Sequence, residues 1–339
     1  MATGIRATAV VGTTVLLLAV GCGGSKTAAP VERHLVYVRG EGVPTPSVWI
    51  ADVHGGHARR LARGYLGVLS PDGRTVAVAR REGIFLVSSD GKGEQRLTAR
   101  KLRPQRWTPD GKALLATVES QRAVTELVSI DRDSGSVRTI ARGSLYGFDF
   151  SPKGDELVYS RAPEPTFEGI CGDQFDLYVA KLDGSKARRL TRDGLSAFPA
   201  WGDSGIAFSR FPATPGIQNC SAPGVWTINT DGSGLRPVIA RAPDSITLLG
   251  FYGLQPLDWL DDHHVLIGLR SDTSSEGAVL NTSTRKLRRL NDFAAEASSD
   301  GRFAVGSGGD QELNLSILRL SDGYRVFVRK GACCPDWNR

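Results

Sequence analysis

The sequence is short of several things, and each shortage narrows what the chain can be. Its longest apolar stretch, residues 7–20, has 14 residues, fewer than the ~20 that a membrane-crossing helix requires. Histidine is scarce, at five residues in 339, and no Gly-x-Ser-x-Gly string occurs. Gly202-Asp203-Ser204-Gly205 mimics the nucleophile string of trypsin-like proteases, but no histidine sits in an Ala-Ala-His-Cys context, and the α/β-hydrolase nucleophile elbow is missing. Glycine and proline, at 40 and 17 residues, stay below the ~25–30 % that marks low-complexity chains. Hydrophobic residues at 40 % and charged residues at 23 % describe a folded body. The glycine excess therefore belongs in tight turns. Lysine is also scarce, 9 against 33 arginines, within a net charge of +6. Codon bias produces such a ratio without any function, whereas the charge itself points to a nucleic acid or an anionic surface.

The N-terminus settles part of that choice. Behind Arg6, residues 7–20 have the length of a signal-peptide h-region. The following Leu18-Ala19-Val20-Gly21-Cys22 resembles the lipobox of bacterial lipoproteins, with Ala19 as a mild departure. The resemblance implies cleavage before Cys22 and a diacylglycerol on its thiol. Residues 1–21 are then a signal peptide and 22–33 a lipidated tether, and the chain sits outside the cytoplasm on the bacterial cell membrane. Export permits disulfides and removes nucleic acid as a natural partner.

The rest of the chain is a repeat. Ser70-Pro71-Asp72-Gly73 returns as Thr108-Pro109-Asp110-Gly111, Ser151-Pro152-Lys153-Gly154, Gly202-Asp203-Ser204-Gly205, Leu260-Asp261-Asp262-His263 and Ser298-Ser299-Asp300-Gly301. A second string, an alternating strand closed by Asp-Gly, runs from Ile84 to Gly91 and recurs at 177–184, 225–232 and 316–323. Asp-Gly between alternating apolar runs marks a hairpin. Four antiparallel strands every ~40–45 residues describe a β-propeller blade. Six complete units begin near 65, 101, 144, 195, 243 and 295, and 34–64 lacks its first strand. Trp337 falls in the column of Leu69, Trp107, Phe150, Trp201, Trp259 and Ala297, so the C-terminal strand is expected to complete a seventh, composite blade. A third-strand column, Trp49, Phe85, Leu127, Tyr178, Trp226, Val279 and Ile317, also has seven members. The expected fold is an all-β, seven-bladed propeller of four-stranded antiparallel blades over 34–339, with six blades as the alternative. Both columns are expected to be core between blades.

These Ser-Pro-Asp-Gly strings, with Asp183-Gly184-Ser185-Lys186-Ala187-Arg188-Arg189-Leu190-Thr191, resemble the TolB-type propeller repeat over nearly the whole mature chain. The resemblance implies a fold and leaves function to the site. TolB itself has an additional N-terminal α/β domain and six blades, so its partners do not carry over.

Candidate chemistry is sparse. Ser204 sits in a hairpin-turn column, as do His54, His57 and Asp261 to His264; turn roles are expected for all of them, and neither catalysis nor a metal nor a cofactor. Asp131 to Gly135 lacks the downstream bidentate glutamate of a calcium loop. Arginines recur on the fourth strands, at Arg59, Arg60, Arg96, Arg138, Arg188, Arg189, Arg236, Arg288, Arg289 and Arg325. Charge on an outer strand discourages edge-to-edge pairing; attraction to anionic lipid or wall polymer is the functional alternative. The long insertions 161–175, 210–224 and 243–256 all join strands on one face, where long loops on a rigid repeat are binding elements. Glu164, Phe167, Glu168, Asp173, Phe211, Gln218, Asn219, Asp244, Phe251 and Tyr252 are the candidate contacts. Cys171 and Cys220 lie in equivalent loops and are expected to pair; Cys333 and Cys334 form a vicinal disulfide or remain thiols. The expectation is a monomeric, non-catalytic binding or scaffold module for an envelope protein or glycan. The alternative is a hydrolase or lyase on a saccharide or lactone, with acids from Glu164, Glu168, Asp173 or Asp176.

Overall fold

A computed structural model of the chain describes residues 34–40, 45–119, 124–163, 174–212, 223–247, 253–270, 275–298, 300–308 and 314–337. Among these, 28 strands form seven antiparallel sheets of four. The blades number seven, not six. Blade I joins Ala332–Trp337 to His34–Arg39, Ser47–Asp52 and Arg59–Arg63, in that order. Blades II to VII follow in chain order. Their first strands are Leu66–Leu69, Arg103–Trp107, Ser144–Phe150, Ser196–Gly202, Gly253–Trp259 and Glu296–Ala297. The unit expected from 243 begins its first strand only at Gly253, after a four-residue helix, Asp244–Thr247. Among the described residues no helix is long and apolar enough to cross a membrane.

The Pro-Asp-Gly strings make their turns by side-chain chemistry. In blade III the Thr108 hydroxyl donates to Asp110 Oδ1 at 2.7 Å and accepts the Ala113 N–H at 3.0 Å. Asp110 Oδ1 also accepts the Lys112 N–H at 3.0 Å. Gly111, at φ +68°, supplies the left-handed step that closes the turn. Ser70 with Asp72 and Ser298 with Asp300 repeat the pattern. Where Lys153 replaces the aspartate, Ser151 bonds Asp155 instead, at 3.1 Å.

The core is seven seams. One cluster of buried apolar side chains lies at each interface between neighbouring blades, including Val305, Leu315 and Ile317 of blade VII against Leu35, Tyr37 and Trp337 of blade I. Both faces of each sheet are thus covered, as the near-continuous apolar second strands require; Val76 to Ala79 is fully buried.

The two aromatic columns differ. In the first-strand column Leu69, Trp107, Phe150, Trp201, Ala297 and Trp337 are buried and Trp259 is half-buried. In the third-strand column the aliphatic members Leu127, Val279 and Ile317 are buried, but Trp49, Phe85, Tyr178 and Trp226 are half-exposed. The expectation of core between blades holds fully for the aliphatic positions and in part for Trp49, Tyr178 and Trp226, which pack against the seam clusters while half-exposed. Each of the four rings lies beneath an arginine from the end of the second strand: Arg39 over Trp49 at 4.9 Å, Arg80 over Phe85 at 4.4 Å, Arg161 over Tyr178 at 5.7 Å and Arg210 over Trp226 at 4.5 Å. The ring's π-face attracts the cation while its apolar body is shielded.

Candidate functional site

The strand order defines two faces. First-to-second and third-to-fourth turns share one, the turn face; second-to-third connections and the links between blades share the other. Segment 163–175 joins the second and third strands of blade IV, 211–222 those of blade V, and 242–252 links blade V to blade VI. The three insertions therefore attach to one face, on adjoining blades. Glu164, Phe167, Glu168, Asp173, Gln218, Asn219, Phe251 and Tyr252 lie outside the described residues, as do Cys22, Cys171 and Cys220. Asp244 is exposed at the start of the short helix. Phe211, expected as an exposed contact, is instead buried at 5 % exposure with Ala162, Phe175 and Ala197. Its ring meets Phe175 edge-on at 5.3 Å, so it anchors the root of its loop.

Asp176 is likewise committed. Its carboxylate, 3 % exposed, pairs with Arg189. It accepts the Thr191 hydroxyl at 2.9 Å and the N–H groups of Asp193 and Gly194 at 3.1 and 3.2 Å. A carboxylate so satisfied holds the short fourth strand of blade IV in place.

The turn chemistry follows expectation. Ser204 donates to the Asp262 carbonyl at 3.0 Å, fastening blade V to blade VI. His264 is held between Asp261 at 2.8 Å and Asn281 at 2.9 Å, and His57 by Asp52 at 3.0 Å. Asp131 accepts from Ser134, in a hairpin. Cys333 and Cys334 are joined to each other, with Cys334 at φ +54° beside a register shift in the closing strand.

At the turn-face end of the first strands the residues surround a cavity of about 340 Å3. The first-strand column lines it, together with a column that sequence reading passed over: Arg106, Asp149, Asp258, Glu296 and Asp336, each one position before a member of the first. The same spacing that exposed the tryptophans could have found it. Asp149 shows what these acids do. It accepts Arg106 of blade III at 2.6 Å and the Trp201 N–H of blade V at 2.8 Å, so one carboxylate ties three blades. Asp336 accepts the Leu69 N–H of blade II at 2.7 Å. The indoles reach the other way: Trp107 donates to the Val68 carbonyl and Trp259 to the Ala200 carbonyl, both at 3.1 Å.

The fourth-strand arginines sit on the outer strands, as expected, but do more than charge an edge. Arg59, Arg188 and Arg288 each donate to a carbonyl in the third-to-fourth turn of the next blade, at Ser89, Thr230 and Leu320. Arg138 pairs with Asp183 there at 3.6 Å. Each spans a seam at its rim. Carboxyls in both sets of turns on the turn face ionise below their usual range. At Asp110, burial raises the pKa, but the Thr108 hydroxyl, the Lys112 N–H and the Lys112 charge outweigh it. At Asp322, with Arg319 and the Tyr324 N–H as donors, the pKa falls to about 2.

No protein-family model matches the chain, and no match is found among curated proteins. Solved structures do match. TolB from Acinetobacter baumannii is 15 % identical at a TM-score of 0.54, with 91 % of this chain and 66 % of that one covered. An oligogalacturonate lyase from Vibrio parahaemolyticus is 14 % identical at 0.55, covering 88 % and 84 %. A prolyl endopeptidase is 13 % identical at 0.61, covering 91 % and 49 %. The chain thus spans about two thirds of the TolB chain and about half of the peptidase. Likeness at this identity is a likeness of architecture: the chain has a TolB-like β-propeller fold.

Proposed function

We propose that the chain is an extracytoplasmic lipoprotein, held to the bacterial membrane through Cys22, whose propeller is a non-catalytic binding module for an envelope protein or glycan. The partner docks on the face that carries the three insertions. The observation behind this reading is their one-sided attachment to adjoining blades of a closed ring; a rigid scaffold with its variable loops on one side is built for recognition. Asp149 and Asp336, at the cavity, bond backbone N–H groups of neighbouring blades, so their chemistry is spent on the ring.

A second reading, a hydrolase or lyase on a saccharide or lactone, is favoured by one observation: four carboxylates and Arg106 line a single cavity. It stands second because Asp149 and Asp336 serve as fasteners and Asp176 lies elsewhere, fully bonded.

The test is in-membrane crosslinking and recovery of the tagged chain. Phe167→Ala/Tyr252→Ala should recover several-fold less partner than the wild type, and Cys22→Ser should move the chain out of the membrane fraction. Equal recovery would refute the face, and membrane retention of Cys22→Ser would refute the anchor.

A further inference from the structure

The insertion-bearing face has a second, electrically distinct sector. Residues 34–143 hold 18 basic and 11 acidic side chains, whereas residues 144–331 hold 20 and 23. The excess positive charge of the whole chain thus lies in blades I to III. Much of it collects where these blades meet the insertion face. Arg63 ends the fourth strand of blade I, Arg81 lies in the second-to-third turn of blade II, and Arg100 and Lys101 lie in the link to blade III.

Contacts to their backbone make these residues contiguous. Arg80 Nε donates to the Arg63 carbonyl at 2.9 Å. Gly83 packs so closely on the Thr98–Ala99 backbone that an added Cβ would lie 2.0 Å from the Thr98 carbonyl oxygen. Tyr65, 41 % exposed, sits beside them in the field of Arg103. All four side chains are exposed, and among the described residues none has an acidic partner. Several arginines of the later blades are spent differently: Arg210 pairs with Asp193 and Arg289 with Glu276, each at 2.6 Å, and Arg189 and Arg325 with buried carboxylates; Arg192 and Arg241 are exposed with no acidic partner among the described residues.

Unpaired guanidinium groups on a half-rigid rim, with an aromatic ring among them, suit the forked recognition of phosphate or carboxylate oxygens. We propose that this sector binds a linear polyanionic glycan, phosphate- or carboxylate-bearing. The inference rests on the reading of this face as the binding face, and it names the chemistry of the partner. A glycan strand fits better than a lipid surface, because His34, where the chain enters the ring, is at the turn-face end of its strand.

The experiment measures binding of the full chain to polyglycerol phosphate and to a uronate polymer, with dextran as the neutral control and phosphatidylglycerol vesicles as the lipid arm. Arg63→Gln/Arg81→Gln/Arg100→Gln should weaken binding to at least one polyanion by about tenfold, and wild-type binding should fall by roughly the same factor between 50 and 200 mM salt. Lys153→Gln/Arg285→Gln/Lys286→Gln, a matched loss of three charges from turns on the other face, should bind as the wild type does; both triples should keep the wild-type melting midpoint. Equal loss in both triples, salt-insensitive binding shared with dextran, or binding to vesicles and neither polymer would overturn the proposal. A chain that captures its partner through Phe167 and Tyr252 yet ignores both polymers loses this inference and keeps the face. Polyanion binding that depends on Arg63, Arg81 and Arg100 while Phe167 and Tyr252 variants capture normally supports the inference and refutes the loop reading.

Discussion

Asp110 and its counterparts do several jobs with one carboxylate: they accept a hydroxyl, accept a backbone N–H and fix a turn. Those bonds favour the ionised form in the folded ring, so the carboxyls of Asp72, Asp110, Asp300 and Asp322 release their protons more readily there than in the unfolded chain. Depressed folded values give stability that is complete above the ordinary value of about 3.9 and is lost as pH falls through the folded values. The urea midpoint should therefore hold steady from pH 7 to about 5 and drop between about pH 4 and 2, where Asp322 itself titrates. A triple Asp72→Asn/Asp110→Asn/Asp322→Asn chain should start lower and show a shallower drop. A wild-type midpoint that stays flat across that interval would show that the turns do not carry the acid sensitivity.

Blades are joined by elements that repeat at fixed positions, and the first strand carries the most regular of them. The Trp107 indole fills a seam and also donates to Val68 of the preceding blade. Trp107→Phe keeps an aromatic ring but leaves a buried carbonyl without its donor, and should cost about 1–3 kcal/mol. Trp107→Ala should cost about 3–5 kcal/mol. Chemical denaturation checks both, and equal midpoints for Phe and wild type would show that the bond adds nothing. This strand was legible from sequence because a turn signal follows each copy and keeps the columns in register. The acid column beside it is equally periodic, but its meaning depends on which backbone N–H in the next blade it faces, which no single blade reveals. The arginine latches escaped for the same reason: Arg188 reads as a charged edge until Thr230 of the next blade is beside it. Phe211 was misplaced because an aromatic at the root of a long loop looks the same in sequence whether it faces solvent or Phe175. The helix at Asp244–Thr247 has too few residues to show a helical period.

At the scale of the molecule, seven seams close only if blade I is complete, and blade I takes its inner strand from the far end of the sequence. Without Ala332–Trp337, the inner edge of His34–Arg39 and the seam residues Leu35, Tyr37 and Val305 would meet water. A chain ending at residue 331 should elute as aggregate and lose the near-ultraviolet signal of packed aromatics, since an open apolar edge templates further pairing; a monomer with the wild-type melting midpoint would refute this dependence. The same geometry sets an order in time. His34–Arg39 is synthesised early, while its partner strand is made only after the six intervening blades. Until then the three N-terminal strands of blade I have no inner neighbour, and the chain is an open arc that a protease can sample. Closure of the ring therefore waits for Ala332–Trp337.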